Sequence, residues 1–268
     1  KYGSINMKIR WGCYMQNKIC IRRMDMLIKN TSISIKYKKI DNLKKNYFLN
    51  ENILKEHFNE ATVLPIPDDA PLEIPRIIIK SSNEHSQLNI SPIASTLQIN
   101  YNDGFEKNWK NCEQYIQQKM KTVFSFLNIL TNNEYEYIGA ITEVLLDEYM
   151  KDGAQILAHN LLKNNDDSSI YDLNIRYTFV ENDNIFVNIM LQNARLFKNG
   201  IDADVAGSLS IDNQVSESIG VVIDINDRYG YNTCNDYKTD SSKLDFIITK
   251  MTDVMDSKLK GLLEKGAY

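Results

Sequence analysis

Residues 172–192 read "DLNIRYTFVENDNIFVNIMLQ". Leu173, Ile175, Tyr177 and Phe179 alternate with polar or smaller neighbours, and Ile185, Val187, Ile189 and Leu191 repeat the pattern after the break. A period of two places each apolar set on one face of a strand, half-buried against a core. The intervening "ENDN" is rich in residues that tolerate positive φ, so the two strands close as a hairpin. Strands joined by a tight turn are antiparallel, and this pair sets the sheet type for the rest of the chain.

Downstream, residues 199–215 read first as loop and then as a short strand. The stretch Gly220–Asn232, "GVVIDINDRYGYN", reads as a core strand that exits into an exposed aromatic turn, with Asn226, Asp227, Gly230 and Asn232 as turn formers. A helix from about Ser242 to Leu263 closes the chain. Its buried face is Leu244, Ile247, Ile248, Met251, Val254, Met255, Leu259 and Leu262, with Asp240, Ser241 and Ser242 as caps and Ser242 with Asp245 resembling a capping box.

Upstream, the polar "NNDDSS" precedes the hairpin. Before it come a short helix in "MKDGAQILAHNLLK" and a strand in "EYEYIGAITEVLLDEY". The longest helix runs from about Gly104 to Leu130, where Trp109, Cys112, Ile116, Met120, Val123, Leu127 and Leu130 recur at steps of three and four and form one apolar stripe. All five prolines lie between Pro65 and Pro92, four of them in "LPIPDDAPLEIP", an extended connector that leads into the strands "RIIIKSS" and "QLNISPIASTLQINYND". Residues 41–59 read as a weak helix, and 31–38, "TSISIKYK", as a short strand.

This order predicts an α+β fold with mostly antiparallel sheets and two long amphipathic helices, as two β-rich units each closed by a helix. The divisions are a basic appendage over 1–30, a first unit over 31–165 and a second over 166–268. The similarity between the halves is too weak to read as a repeat.

At 268 residues, 43% hydrophobic and 25% charged, the composition is that of a soluble globular chain, and no apolar run is long enough to cross a bilayer. The net charge of -4 is unevenly spread: residues 1–45 carry twelve Lys or Arg against Asp25 and Asp41, a balance of about +10 that leaves about -14 for the rest. An acidic body argues against a broad nucleic-acid footprint, which needs clustered cations. A polyanion would be met by the basic arm through Lys36, Lys38, Lys39, Lys44 and Lys45. Residues before Met24 read as an overlong start or an appendage.

Cys13, Cys20, Cys112 and Cys234 form no C-x-x-C pair, and His57, His85 and His159 stand apart, which predicts free thiols in a reducing cytoplasm and no zinc. There is no G-x-G-x-x-G, G-x-x-x-x-G-K-[ST], G-x-S-x-G or H-E-x-x-H, so dinucleotide folds, P-loop enzymes, α/β-hydrolases and zincins are disfavoured together. No cofactor is expected. The residual enzymatic reading is a divalent-metal phosphotransfer enzyme or nuclease in which Asp224 and Asp227, with Asp202, Asp204 or Glu217, hold Mg²⁺ or Mn²⁺. The EF-hand pattern fails, since Arg228 and Tyr229 fall where an acid or amide and then Gly are required. Arg228, Tyr229, Tyr231 and Tyr237 instead have the composition of an interface hot spot.

Two stretches together, "PDDAPLEIPRIIIKS" at Pro67–Ser81 and "GVVIDINDRY" before the last helix, resemble a loose group of uncharacterised bacterial two-unit α+β proteins. Its members have a Pro-rich approach to the first strand and an aliphatic-Asp-x-Asn/Asp strand before the closing helix. The resemblance spans about residues 60–265 and implies a cytoplasmic accessory or interaction protein with no catalytic residues to carry over. The expectation is therefore a non-enzymatic bacterial protein that works through protein contacts, as a homodimer or in a small complex. Metal-dependent phosphotransfer is the alternative and nucleic-acid association through the basic arm a weaker one.

Overall fold

The computed structural model describes residues 26–67, 69–102, 104–146, 153–162, 170–182, 184–197 and 214–268. The first half of the chain supplies β1 (Met26–Lys36), α1 (Leu43–Asn50) running into a 3₁₀ turn (Glu51–Glu56), β2 (Thr62–Val63), β3 (Ile77–Lys80), β4 (Ser86–Ile90), β5 (Ala94–Asn100) and α2 (Trp109–Thr131). The second supplies β6 (Tyr137–Leu146), α3 (Gly153–Leu157) prolonged by a π turn (Ala158–Leu162), β7 (Asn174–Glu181), β8 (Ile185–Phe197) and β9 (Gln214–Asn226). It ends in α4 (Arg228–Thr233), α5 (Ser242–Asp253), a π turn (Val254–Lys258) and α6 (Leu259–Lys265). The fold is α+β. One sheet runs β2-β3-β4-β5-β1-β6-β9-β8-β7, and every pairing in it is antiparallel.

That order is the same read from either end, apart from β2. Strand, helix, three strands and helix occur twice, and β1 and β6 meet at the centre of the sheet. The register makes the symmetry explicit: Ile99 faces Thr31, Thr31 faces Thr142, and Thr142 faces Ile223. The two threonine hydroxyls are hydrogen-bonded at 2.9 Å. Placing Ile99 in register with Ile223 aligns "INYN" at 99–102 with "IDIN" at 223–226, a short internal similarity that spacing alone did not reveal. The topological halves join between α2 and β6, whereas the division at 165/166 read from the sequence falls between α3 and β7.

Both long helical segments lie on one face. Ile33 and Ile35 of β1, Leu97 and Ile99 of β5, Ile138, Ala140 and Val144 of β6, Val187 and Ile189 of β8, and Val221, Ile223 and Ile225 of β9 are buried beneath α2 and the α5–α6 segment. Trp109 Nε1 donates to Thr252 Oγ1 at 2.7 Å and ties the two helical segments together. Burying one face of every strand is what the alternating pattern of the hairpin required.

The structure corrects two local readings and selects Asp240 among the caps read for the last helix. β1 begins at Met26, so Met26–Asn30 of the 1–30 appendage belong to the sheet, and a register break between Ile28 and Asn30 explains why alternation became legible only from residue 31. The aromatic turn is the short helix α4. At the start of α5, Asp240 does the capping: its Oδ1 accepts from the Ser242 N–H at 2.8 Å and from the Ser242 hydroxyl at 2.6 Å, bonds that hold its pKa below the usual aspartate value.

The Pro-rich connector owes its shape to Arg76. This nearly buried guanidinium donates from Nη1 to the Ile74 carbonyl at 2.8 Å and from Nη2 to those of Ala70 at 3.1 Å, Pro71 at 3.3 Å and Pro67 at 3.4 Å. A proline-rich loop has few N–H groups with which to bond itself, so one multidentate cation gathers its carbonyls.

Candidate interaction surface

The face of the sheet opposite the helices carries no covering element among the described residues. Its side chains can be followed strand by strand through the register. One row runs Lys80, Gln87, Gln98, Ser32, Ile141, Asp224, Asn188, Thr178, and the next Ile78, Asn89, Thr96, Ser34, Gly139, Asn226, Phe186, Val180. On the β3–β1 side these rows are amide and hydroxyl side chains apart from Lys80 and Ile78 on β3. On the β6–β7 side, polar Asp224, Asn188, Thr178 and Asn226 are interspersed with Ile141, 40% exposed, Phe186 and Val180, 46% exposed, and the row on the other side of Ile141's adds Val222 and Met190, both half-buried. A sheet face whose accessible apolar side chains gather on one half is a surface with a directional preference for what it contacts.

An aromatic corner borders the apolar half. α4 folds over the ends of β6 and β8, placing Tyr229 edge-on to Phe186 at 5.1 Å and Tyr231 against Tyr137 at 5.4 Å between ring centroids. The Arg228 guanidinium lies over the Tyr137 ring at 5.3 Å, and both Arg228 and Tyr231 are exposed. The neighbouring Glu136 carboxylate raises the pKa of the Tyr231 hydroxyl. Gly230 makes this packing possible: a Cβ there would stand 2.6 Å from Tyr237 Cε2 and 3.0 Å from Asn184 Cβ.

Of the four hot-spot residues, Arg228 and Tyr231 are exposed, and both pack on the half-buried ring of Tyr137, which the sequence reading missed. Tyr229 and Tyr237 are half-buried and hold α4 in place. Tyr137 was hidden because its partner ring lies 94 residues away in sequence and only the β6–β9 register brings them together.

Asp224 and Asp227 are separated by the pleat. Asp224 stands on the uncovered face, where Oδ2 accepts from Asn188 Nδ2 at 3.1 Å and Oδ1 from Asn226 Nδ2 at 2.8 Å. Asp227 points inward and is fully buried: Oδ1 accepts the Ile138 N–H at 2.7 Å, and Oδ2 accepts the Tyr237 hydroxyl at 2.9 Å. Burial raises its pKa, and these hydrogen bonds offset only part of that effect. Glu217 accepts from the Ala154 N–H and pairs with Arg195, while Asp202 and Asp204 lie outside the described residues. The described carboxylates of that set, Asp224, Asp227 and Glu217, are thus engaged separately, and no cluster of three or more metal-ligating side chains occurs among the described residues.

Two of the basic residues offered to a polyanion are also engaged: Lys39 pairs with Asp41 at 3.2 Å and Lys44 donates to the Ile66 carbonyl at 3.0 Å. Lys38 and Lys45 are exposed and Lys36 is half-buried, whereas the basic residues of 1–25 lie outside the described residues. No described helix is long and apolar enough to cross a membrane. No protein-family model matches the chain, and no curated protein matches it.

Proposed function

We propose that this chain is a non-enzymatic interaction protein that engages a protein partner across the uncovered face of its sheet, with Arg228, Tyr231 and Tyr137 as the anchor at one corner. The observation that carries the reading is the half-apolar face itself. Ile141, Val222, Met190 and Val180 stay accessible on a sheet whose other face has every opportunity to bury such residues. Aromatic and arginine side chains beside an apolar patch are the composition that concentrates binding energy at interfaces. The separate engagement of Asp224 and Asp227 favours this reading over phosphotransfer, because a two-oxygen metal clamp needs both carboxylates directed at one point.

The test compares affinity capture by the intact chain with capture by Ile141→Lys and by an Arg228→Ala, Tyr231→Ala double variant, in extracts of the cells to which the chain is native. Proteins held by the parent and lost from both variants, whose urea midpoints match the parent's, are the expected result. An identical captured set from all three would overturn the placement of the contact. Tight Mn²⁺ binding abolished by Asp224→Asn would overturn the non-enzymatic reading.

A further inference from the structure

The two edges of the sheet are built differently. On one side the outermost strand is β2, only two residues long, and the chain leaves it into Pro65, Pro67, Pro71 and Pro75. Short strands and prolines are the means by which sheets refuse further pairing. The other edge is β7, "NIRYTFVE", eight residues without proline or glycine, and its register with β8 is unbroken from Asn174 to Glu181. Among the described residues nothing pairs with its outer side, and its one side chain of edge-blocking charge in mid-strand is Arg176.

We infer that β7 pairs antiparallel with β7 of a second copy of this chain, extending the sheet across a two-fold axis normal to it. A strand added here must continue both surfaces: apolar toward the helices, where Ile175, Tyr177 and Phe179 lie, and mixed toward the uncovered face, where Asn174, Arg176, Thr178 and Val180 lie. About a dyad normal to the sheet every residue keeps its face, so β7 itself meets that requirement. With the axis at Thr178, each Tyr177 faces the second copy's Phe179, which extends an aromatic ladder already formed within the chain. There the rings of Tyr177 and Phe179 are stacked at 6.2 Å, and those of Phe179 and Tyr268 at 3.9 Å. Facing aromatic pairs are among the favourable cross-strand combinations. The chain already joins its topological halves in this way, by antiparallel pairing of β1 with β6 from Met26–Leu146 to Lys36–Tyr137. Val180 and, at the foot of the strand, Tyr171 are exposed apolar residues beside the seam. The contact shares only Val180 with the patch proposed for the uncovered face, which it would double in extent without covering.

Sedimentation velocity over a concentration series, paired with hydrogen exchange resolved to the 174–181 peptide, tests the inference on the full chain. The expected result is a dimer whose β7 amides are protected at high concentration and exchange faster on dilution. Val180→Lys puts a cation opposite the second copy's Arg176 and is expected to weaken the dimer about tenfold, since like charges directly opposite repel, while Val180→Thr retains it. A dimer whose 174–181 exchange does not depend on concentration would overturn the β7 seam and leave the uncovered-face reading untouched. A strict monomer throughout the series would overturn it as well.

Discussion

Asp227 offers the sharpest check on how the aromatic corner is held. Its carboxylate has no solvent exposure and bridges the start of β6, through the Ile138 N–H, to the segment after α4, through the Tyr237 hydroxyl. Asp227→Ala removes both acceptors. The Ile138 N–H belongs to a fully buried residue, and leaving such a donor unpaired costs about 1–3 kcal/mol. Tyr237 is only half-buried and can recover water, so its loss adds about 1 kcal/mol. The expected destabilisation is about 2–4 kcal/mol by these hydrogen-bond values. Asp227→Asn keeps a carbonyl oxygen for Ile138, directs an amide donor at the tyrosine oxygen and removes a desolvated charge, so it should cost no more than about 1 kcal/mol.

Urea unfolding of the three proteins reads the difference as a shift in midpoint at constant slope. An Ala variant within about 0.5 kcal/mol of the parent, the usual range for inconsequential surface changes, would refute the reasoning, as would an Asn variant as unstable as the Ala variant. The pH dependence supplies a second sign. Because burial raises the folded-state pKa of Asp227 above its ordinary 3.8, the folded protein holds this proton more firmly than the unfolded chain. The resulting stabilisation is complete below 3.8 and is lost as pH rises through the raised folded-state value. Parent stability relative to Asp227→Asn should therefore improve on acidification from neutral pH toward 3.8. The opposite slope would mean that the carboxylate is better stabilised in the fold than in water.

Arg76→Ala should release the Pro67–Ile74 loop, lowering stability by about 2–3 kcal/mol for the loss of charge-assisted bonds and exposing the loop to limited proteolysis ahead of global unfolding. Gly230→Ala forces its new methyl into the Tyr237 ring, and overpacking of this kind costs about 1–3 kcal/mol; loss of near-ultraviolet circular dichroism from the tyrosine cluster would report it. Lys119 is buried on α2, donates to the His57 carbonyl at 2.6 Å and has the rings of Phe58 and Tyr115 at 5.0 and 5.3 Å. Burial lowers its pKa, so parent stability relative to Lys119→Met should rise with pH from the lowered folded-state value up to the ordinary 10.5, and urea midpoints between pH 8 and the alkaline limit of folding check this.

The strands that were legible are those with one wet and one dry face. β7, β8 and the apolar core of β9 announce themselves because each inward residue meets the helices and each outward one meets water. The start of β1 was not legible, since an irregularity at Lys29 shifts the phase of its alternation and a period-two pattern cannot be read through a phase shift. α4 was read as a turn because Asn226, Asp227 and Gly230 are turn formers in isolation. In the fold, Asp227 is taken inward as a bridge, and Gly230 is required for close approach to Tyr237. At α4, a partner distant in sequence, the Ile138 N–H for Asp227, overrode a local propensity.

The hidden symmetry follows the same logic and bears on where function lies. Positions facing the helices are buried in both halves, and there the equivalence holds, as in Thr31 with Thr142, Ile99 with Ile223 and Leu97 with Val221. Positions on the uncovered face are free of that demand, and there the halves differ. Ser32, Gln98, Gln87 and Lys80 on one side correspond by register to Glu143, Val222, Met190 and Arg176 on the other. Had the uncovered face served only to keep the sheet in water, amides and hydroxyls would have sufficed in both halves. Val222 and Met190, standing where the other half has Gln98 and Gln87, add apolar area where solvent penalises it, which is intelligible if that half of the face is covered when the protein acts.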